Sequence, residues 1–145
     1  MKRFVAFFVL LALASCSPQK KYSDFDYSYS RSGGLSPIYE NLWIKGKNAH
    51  YSFEGQGKNV KKDFKLSQDE LNNIQNVLEQ NNFRMIQEDY KKLYDYISTS
   101  IVVKKGAQSA SKSDASYIMD ADKSRWENVA KTFRQLIDSK TADAK

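Results

Sequence analysis

The chain has 145 residues, with 23 Lys and Arg against 17 Asp and Glu, and therefore a formal net charge of +6. This length predicts one domain, and a hydrophobic content of 41% is enough to form one core. A single cysteine excludes an intramolecular disulfide and any zinc site that needs several thiolates. A single histidine, His50, excludes every site that needs two.

The N-terminus has the layout of a secretory signal peptide. Lys2 and Arg3 precede an uncharged, apolar run from Phe4 to Ala14, and small residues follow. A positive start, an apolar stretch and then small residues are typical of export signals. The run is shorter than the roughly 20 residues that a membrane-spanning helix needs. We therefore expect export rather than a permanent membrane span.

The motif Leu13-Ala14-Ser15-Cys16 ends this segment. It resembles the lipobox of bacterial lipoproteins, which is a Leu, two small residues and an invariant Cys. The resemblance implies a thioether between the Cys16 sulfur and diacylglycerol, cleavage between Ser15 and Cys16, and acylation of the new amino group. Two or three acyl chains hold a protein firmly at a membrane. An ordinary signal peptide with a coincidental Cys, or an uncleaved anchor, is the alternative.

The same resemblance implies a location in the bacterial cell envelope. In Gram-negative lipoproteins an Asp after the lipidated Cys tends to retain the protein at the inner membrane, so Ser17 favours the outer membrane. Cleavage would remove residues 1–15, and with them Lys2 and Arg3, which leaves a net charge of +4. Residues 16–23 are predicted to be the lipidated Cys and a tether that reaches roughly 25 Å. Its two lysines either approach anionic headgroups or stay solvated.

The mature chain opens with patterns of antiparallel strands. From Phe25 to Ser30 aromatic residues alternate with polar residues, which predicts a half-buried strand whose polar face includes Asp24 and Asp26. A second strand over 38–45 is apolar on both faces at its centre. Short turns are predicted at 46–48 and 55–59. The first turn leads into a return strand with Tyr51 and Phe53, and the second leads into a Lys-rich strand at 60–64, which suits an exposed edge.

Helical signals follow. Ser67 and Glu70 fit a capping box, and an apolar stripe at helical spacing continues to a stop at Asn81-Asn82. Residues 83–86 are predicted to be a short strand or a packed connector, and residues 87–95 are predicted to be a loop or a brief helix. The β-branched segment 96–104 predicts a strand. The Ser-rich segment 109–119 predicts an edge strand that ends at 117–119. A second capping-box spacing, Ser124 with Glu127, predicts the start of the last helix.

Together these elements predict an α+β domain over residues 24–140. Its antiparallel sheet has four to six strands, and two amphipathic helices pack on one face of it. Residues 141–145 are expected to form a disordered tail. In general layout the domain resembles small uncharacterised bacterial lipoproteins.

No motif predicts a catalytic, metal or cofactor site. His50 lies beside a hairpin turn and is expected to face solvent. The run Asp120-x-Asp122-x-Ser124 starts like a calcium loop, but Arg125 and Lys131 stand where that loop needs Gly and Glu. The segment Gly55-Gln56-Gly57-Lys58 lacks the spacing of a phosphate-binding loop.

We therefore expect a lipid-anchored, non-enzymatic envelope protein that binds another protein or an envelope polymer. Tyr39 and Trp43, on the second face of the second strand, are the candidate binding aromatics. The other aromatics fit a sheet core better than a platform for a glycan or peptide. Export and anchoring exclude nucleic acid as a partner.

Two alternatives stay open. A periplasmic hydrolase that acts on wall or glycan material would have to use carboxylates, such as Asp24 with Asp26 or Glu88 with Asp89, in a cleft. An enzyme inhibitor or immunity-type protein would instead present a protruding loop, at residues 32–37 or 54–59.

Overall fold

The computed structural model describes residues 21–91 and 93–143. They form a six-stranded antiparallel sheet and two helices, which confirms the α+β prediction. The signal segment, the cleavage site at Ser15 and the lipidation site at Cys16 lie outside the described residues. Among the described residues, no helix is both long and apolar enough to cross a membrane.

The sheet has the strand order β4-β3-β2-β1-β5-β6, and every neighbouring pair is antiparallel. The Lys-rich strand β4 lies at one edge, as its composition predicts. The strands are β1 (Asp26–Gly33), β2 (Ile38–Lys45), β3 (Asn48–Gly55), β4 (Lys58–Lys65), β5 (Ile97–Lys104) and β6 (Ala110–Ser113).

The turn between β3 and β4 consists of Gln56 and Gly57, with φ angles of 52° and 75°. Positive φ at both central residues is the requirement of a type I′ hairpin, whose twist matches that of the strands. The glycine-containing segment at 55–58 is therefore a hairpin turn, and no helix follows it.

Helix α1 (Gln68–Gln80) begins at the predicted capping box. The Glu70 amide donates to the Ser67 hydroxyl at 3.1 Å, and the Ser67 amide donates to the Glu70 carboxylate at 2.7 Å. Asn82 adopts a left-handed conformation with φ of 45°, after the helix has ended. A 3₁₀ turn (Phe83–Met85) follows, so of the two alternatives for this segment the structure shows the connector and not the short strand.

The second predicted capping box is wrong. Helix α2 (Lys123–Thr141) already includes Ser124 in its first turn, and a 3₁₀ turn (Asp120–Asp122) leads into it. The N-cap residue is Asp122, whose carboxylate accepts a hydrogen bond from the Gln87 amide at 2.8 Å and pairs with Arg125. A contact distant in the chain, rather than a local cap, therefore fixes the start of this helix.

The core lies between one face of the sheet and the two helices. Both helices place their apolar stripes on that face, as predicted. Phe133 of α2 stacks on Tyr29 of β1, with ring centroids 5.6 Å apart, and both side chains are fully buried. The buried helix residues are Leu71, Ile74 and Leu78 of α1 and Trp126, Val129, Ala130, Phe133, Leu136 and Ile137 of α2.

The edge strand predicted over 109–119 is too long. Strand β6 ends at Ser113, and the amide of the next residue, Asp114, donates to the Thr99 carbonyl of β5 at 3.1 Å. The Asp114 carboxylate accepts hydrogen bonds from the Thr99 amide at 2.5 Å and from the Trp126 indole at 3.0 Å. Further along, Ile118 forms only an isolated bridge, with Glu88.

The packed domain is longer than residues 24–140. Tyr22, predicted to lie in the tether, is 1% exposed, and its carbonyl accepts a hydrogen bond from the Tyr27 hydroxyl at 2.9 Å. At the other end, Thr141 is fully buried in α2, and Asp143 forms an ion pair with Lys62. The ordered structure therefore includes the end of the predicted tether and the start of the predicted tail.

Candidate functional site

One face of the sheet carries none of the described helices. On strands β2, β1 and β5 this face ends at Lys45, Asp26 and Lys104, and the rest of it consists of nine uncharged residues in three rows set by the strand register. The rows are Tyr39, Ser32 and Ser98, then Asn41, Ser30 and Ser100, then Trp43, Ser28 and Val102. We call these nine residues the open face. It presents mainly hydroxyl groups, one amide and two aromatic rings.

Tyr39 and Trp43 are the two large apolar side chains of the open face, and each is 57% exposed. They lie four residues apart on β2, so their Cα atoms are about 13 Å apart along the strand. Asn41 lies between them on the same face. Because β2 is hydrogen-bonded to β1 and β3 along its length, the backbone beneath both rings is rigid. The two candidate aromatics therefore belong to one fixed surface.

His50 of β3 borders the open face next to Trp43. The two rings are 6.0 Å apart, and the His50 Nδ1 atom lies 2.6 Å from a carboxylate oxygen of Asp63. The side chain of His50 is 43% exposed, which agrees with the expected solvent-facing position. Among residues 21–91 and 93–143, no three His, Cys, Asp or Glu side chains converge as a metal site would require.

The first carboxylate pair proposed for a hydrolase does not form. Asp24, with φ of 61°, lies in the turn before β1 and is exposed, whereas Asp26 is the first residue of that strand. The Asp26 carboxylate accepts a hydrogen bond from the Gly46 amide at 3.0 Å. The predicted shared strand face is therefore wrong, and Asp26 stabilises a hairpin turn.

The second pair also points to structural roles. Glu88 accepts a hydrogen bond from the Ser113 amide at 2.7 Å, and Asp89 lies 2.8 Å from Lys91. Asp89 does line an open cleft of about 1080 Å³, which it shares with Asp120 and Asp122.

The other carboxylates of this cleft are held in their ionised form. The Lys123 ammonium lowers the pKa of Asp120. The Gln87 amide, with help from Arg125, lowers the pKa of Asp122. A carboxylate with a lowered pKa is a poor proton donor near neutral pH, so neither Asp120 nor Asp122 suits the role of a general acid.

A buried polar cluster lies on the helix side of the sheet. Glu40 is 7% exposed; one of its oxygens is 3.0 Å from the Arg31 guanidinium and the other accepts from the Tyr51 hydroxyl at 2.9 Å. Burial, together with the hydrogen bond to Glu40, raises the pKa of Tyr51. The cluster lines a cleft of about 260 Å³ that also includes Arg134 and Lys58.

The sequence contains a signal for this cluster that belongs to no known motif, namely charged residues at the buried positions of two strands. Glu40 falls on the apolar half of the alternation in β2, and Arg31 continues the series begun by Tyr27 and Tyr29 in β1. A charged residue in a buried register predicts a partner on the neighbouring strand, and Arg31 is directly opposite Glu40.

The loops proposed for an inhibitor are hairpin turns. Residues 34–37 connect β1 to β2, and residues 56–57 connect β3 to β4. Leu35, in the first of these turns, is 87% exposed. Two other aromatic side chains, Tyr90 and Tyr94, are 80% and 78% exposed and lie between the Phe83–Met85 turn and β5.

No protein-family model and no curated protein sequence matches this chain.

Proposed function

We propose that this protein is a lipid-anchored, non-enzymatic lipoprotein of the bacterial cell envelope, and that its open face binds an envelope polymer, the glycan of the cell wall. The observation that supports the binding role is the pair of exposed rings, Tyr39 and Trp43, on a rigid sheet surface that is uncharged between them. The proposed anchor is the lipidated Cys16, and the membrane is thus a second partner.

The chemistry of the open face suits a sugar polymer. The C–H faces of a pyranose ring are apolar and stack on aromatic rings, while its hydroxyl groups exchange hydrogen bonds with polar side chains. The open face carries one ring in its first row and one in its third row, and the middle row between them contains Asn41 and Ser30. The separation of about 13 Å between the aromatic residues leaves space for sugar units along β2.

A protein partner fits this surface less well. The buried centre of a protein–protein interface is usually apolar and enriched in aromatic and Met side chains. Here Val102 is the only aliphatic residue of the open face, and serines occupy its centre. A polyhydroxylated ligand can satisfy those hydroxyl groups, whereas an apolar partner would leave them without hydrogen bonds.

The proposal of a non-enzymatic role is supported by the carboxylates. The acids suggested for a hydrolase bind backbone amides or lysines, as Asp26, Glu88 and Asp89 do. Asp89 lies in a cleft with Asp120 and Asp122, and the pKa values of both of those carboxyl groups are lowered. Asp26 lines a groove with Asp63, whose carboxylate lies against the His50 ring.

The test of the binding role is co-sedimentation of the purified protein with insoluble cell-wall glycan. Tyr39→Ser and Trp43→Ser should each weaken binding about tenfold, because a lost ring contact of roughly 1.4 kcal/mol corresponds to that factor. The double variant should lose binding almost completely. Digestion of the glycan with a muramidase should release the wild-type protein.

The matched control replaces two exposed tyrosines outside the open face. Tyr90→Ser and Tyr94→Ser remove as much exposed aromatic surface and should leave sedimentation unchanged. Wild-type sedimentation of the Tyr39→Ser/Trp43→Ser variant, or binding that survives muramidase digestion, would contradict glycan recognition by the open face.

A further inference from the structure

The charges of the sheet are unevenly distributed along its strands. Strands β2, β4 and β5 all finish at the same end, where β1 begins, and each finishes on a lysine. The exposed lysines at this end are Lys21, Lys45, Lys47, Lys65, Lys104 and Lys105. We call this group the basic end. The turns at the opposite end, residues 34–37 and 56–57, contain no charged residue.

The strand register shows that these lysines are neighbours. Lys104 pairs with Asp26 across β5 and β1, and Lys45 and Lys65 both lie opposite Asn48 of β3, on its two sides. A shallow groove of about 650 Å³ is lined by Lys45, Lys65 and Lys104 together. Among the described residues, none of the six lysines of the basic end forms an ion pair.

Nearby carboxylates offset only part of this charge. Asp24, Asp26 and Asp69 are at the same end, and Asp26 already accepts a hydrogen bond from the Gly46 amide. Asp63 lines the same groove as the lysines, and its carboxylate lies 2.6 Å from the His50 Nδ1 atom. Glu70 is nearby too, but it lies 2.7 Å from Lys140. The basic end therefore keeps an excess of positive charge.

The chain enters the domain at the basic end. The Lys105 ammonium donates to the Ser23 carbonyl at 3.2 Å and lies 5.3 Å from the centre of the Phe25 ring. Arg84 lies 5.8 Å from the centre of the Tyr22 ring. These contacts fix the point from which the N-terminal segment leaves, and only residues 17–20 separate Lys21 from Cys16. At up to about 3.5 Å per residue, Lys21 is within roughly 17 Å of the proposed lipid.

We infer that the basic end docks on the anionic phospholipid surface to which Cys16 anchors the protein, so that the strands stand away from the membrane and the open face stays accessible. This rests on the proposed lipid anchor. A lysine near an anionic surface gains about 1 kcal/mol, within a Debye length of about 8 Å. The short tether brings the six lysines of the basic end within reach of that distance.

The test uses the lipidated protein extracted from membranes and reconstituted into two kinds of vesicle, phosphatidylcholine alone and an equal mixture with phosphatidylglycerol. Amine acetylation followed by mass spectrometry then reports the accessibility of each lysine. In the anionic vesicles, acetylation of Lys45, Lys47 and Lys104 should slow several-fold. At about 1 M salt, where the Debye length is about 3 Å, the protection should disappear.

Lys58 and Lys131, which are exposed at the opposite end and on α2, provide the internal control and should react equally in both vesicles. A second variant set checks the charges directly: Lys45→Gln/Lys47→Gln/Lys104→Gln should remove the protection of Lys105, whereas Lys58→Gln/Lys131→Gln should not. Equal acetylation in both vesicles would overturn the docked orientation alone. If the protein associates with neither kind of vesicle, both the lipid anchor and this inference are wrong.

Discussion

Replacing Phe133 by Ala should destabilise the domain by about 3–5 kcal/mol, the usual cost of truncating a buried aromatic side chain. Phe133 is 1% exposed and contacts two buried tyrosines of β1, with ring centroids 5.6 Å from Tyr29 and 6.5 Å from Tyr27. Small domains have only about 5–15 kcal/mol of stability in total, so this change removes a large part of it. Urea denaturation should show a lower midpoint with an unchanged slope.

Lys131→Ala is the matched control, because Lys131 is exposed two residues earlier on the same helix. It should change the free energy of unfolding by less than about 0.5 kcal/mol. A loss below about 1 kcal/mol for Phe133→Ala would mean that α2 does not pack on the sheet face that carries Tyr29.

Replacing Arg31 by Met should cost about 2–4 kcal/mol, because it leaves the buried Glu40 carboxylate without its cation. The Arg31 side chain is itself 30% exposed, so solvent screens part of the pair and the loss falls below that of a fully buried ion pair. The hydrogen bond from Tyr51 to Glu40 remains in this variant and cannot neutralise the charge. Chemical denaturation of the purified protein measures the loss.

The double variant Arg31→Met/Glu40→Gln distinguishes the cost of losing the Arg31–Glu40 contact from the cost of leaving the Glu40 charge buried and unpaired. It should be more stable than Arg31→Met alone, since a neutral Gln keeps an acceptor for the Tyr51 hydroxyl without a buried charge. If Arg31→Met is as stable as the wild type, Arg31 does not compensate the Glu40 charge.

Local signals predicted much of this fold. Alternation with period two is enough to place β1 to β4, because one face of an antiparallel sheet is buried and the other is not. The capping box at Ser67 uses atoms only three residues apart, and the structure contains both of its hydrogen bonds. Features that depend on short spacings are readable from sequence alone.

The wrong predictions share a dependence on distant residues. Helix α2 starts where the Gln87 amide meets Asp122, 35 residues later, and strand β6 stops where Asp114 binds Thr99 and Trp126. Tyr22 is buried by the tertiary fold, although its neighbours have the composition of a linker. These contacts join residues that are too far apart in the sequence for a local pattern to include both partners.

The residues of the candidate site also fall into two groups, those predicted by a local pattern and those that depend on distant parts of the chain. The two-sided apolar pattern of β2 identified Tyr39 and Trp43, and the structure shows both exposed on one face. The serine rows between β1 and β5 could not be assigned from sequence, because they need the register of strands separated by more than 60 residues. The basic end likewise depends on topology, since its lysines come from four separate segments of the chain.

The most direct measurement of the central claim, that Cys16 carries the membrane anchor, is incorporation of labelled palmitate in growing bacteria. The wild-type protein should take up the label and remain in the membrane fraction, and so should Ser15→Ala, which keeps a small residue before the cysteine. Cys16→Ala should lose both the label and membrane retention. Continued labelling and membrane retention of Cys16→Ala would contradict the anchor.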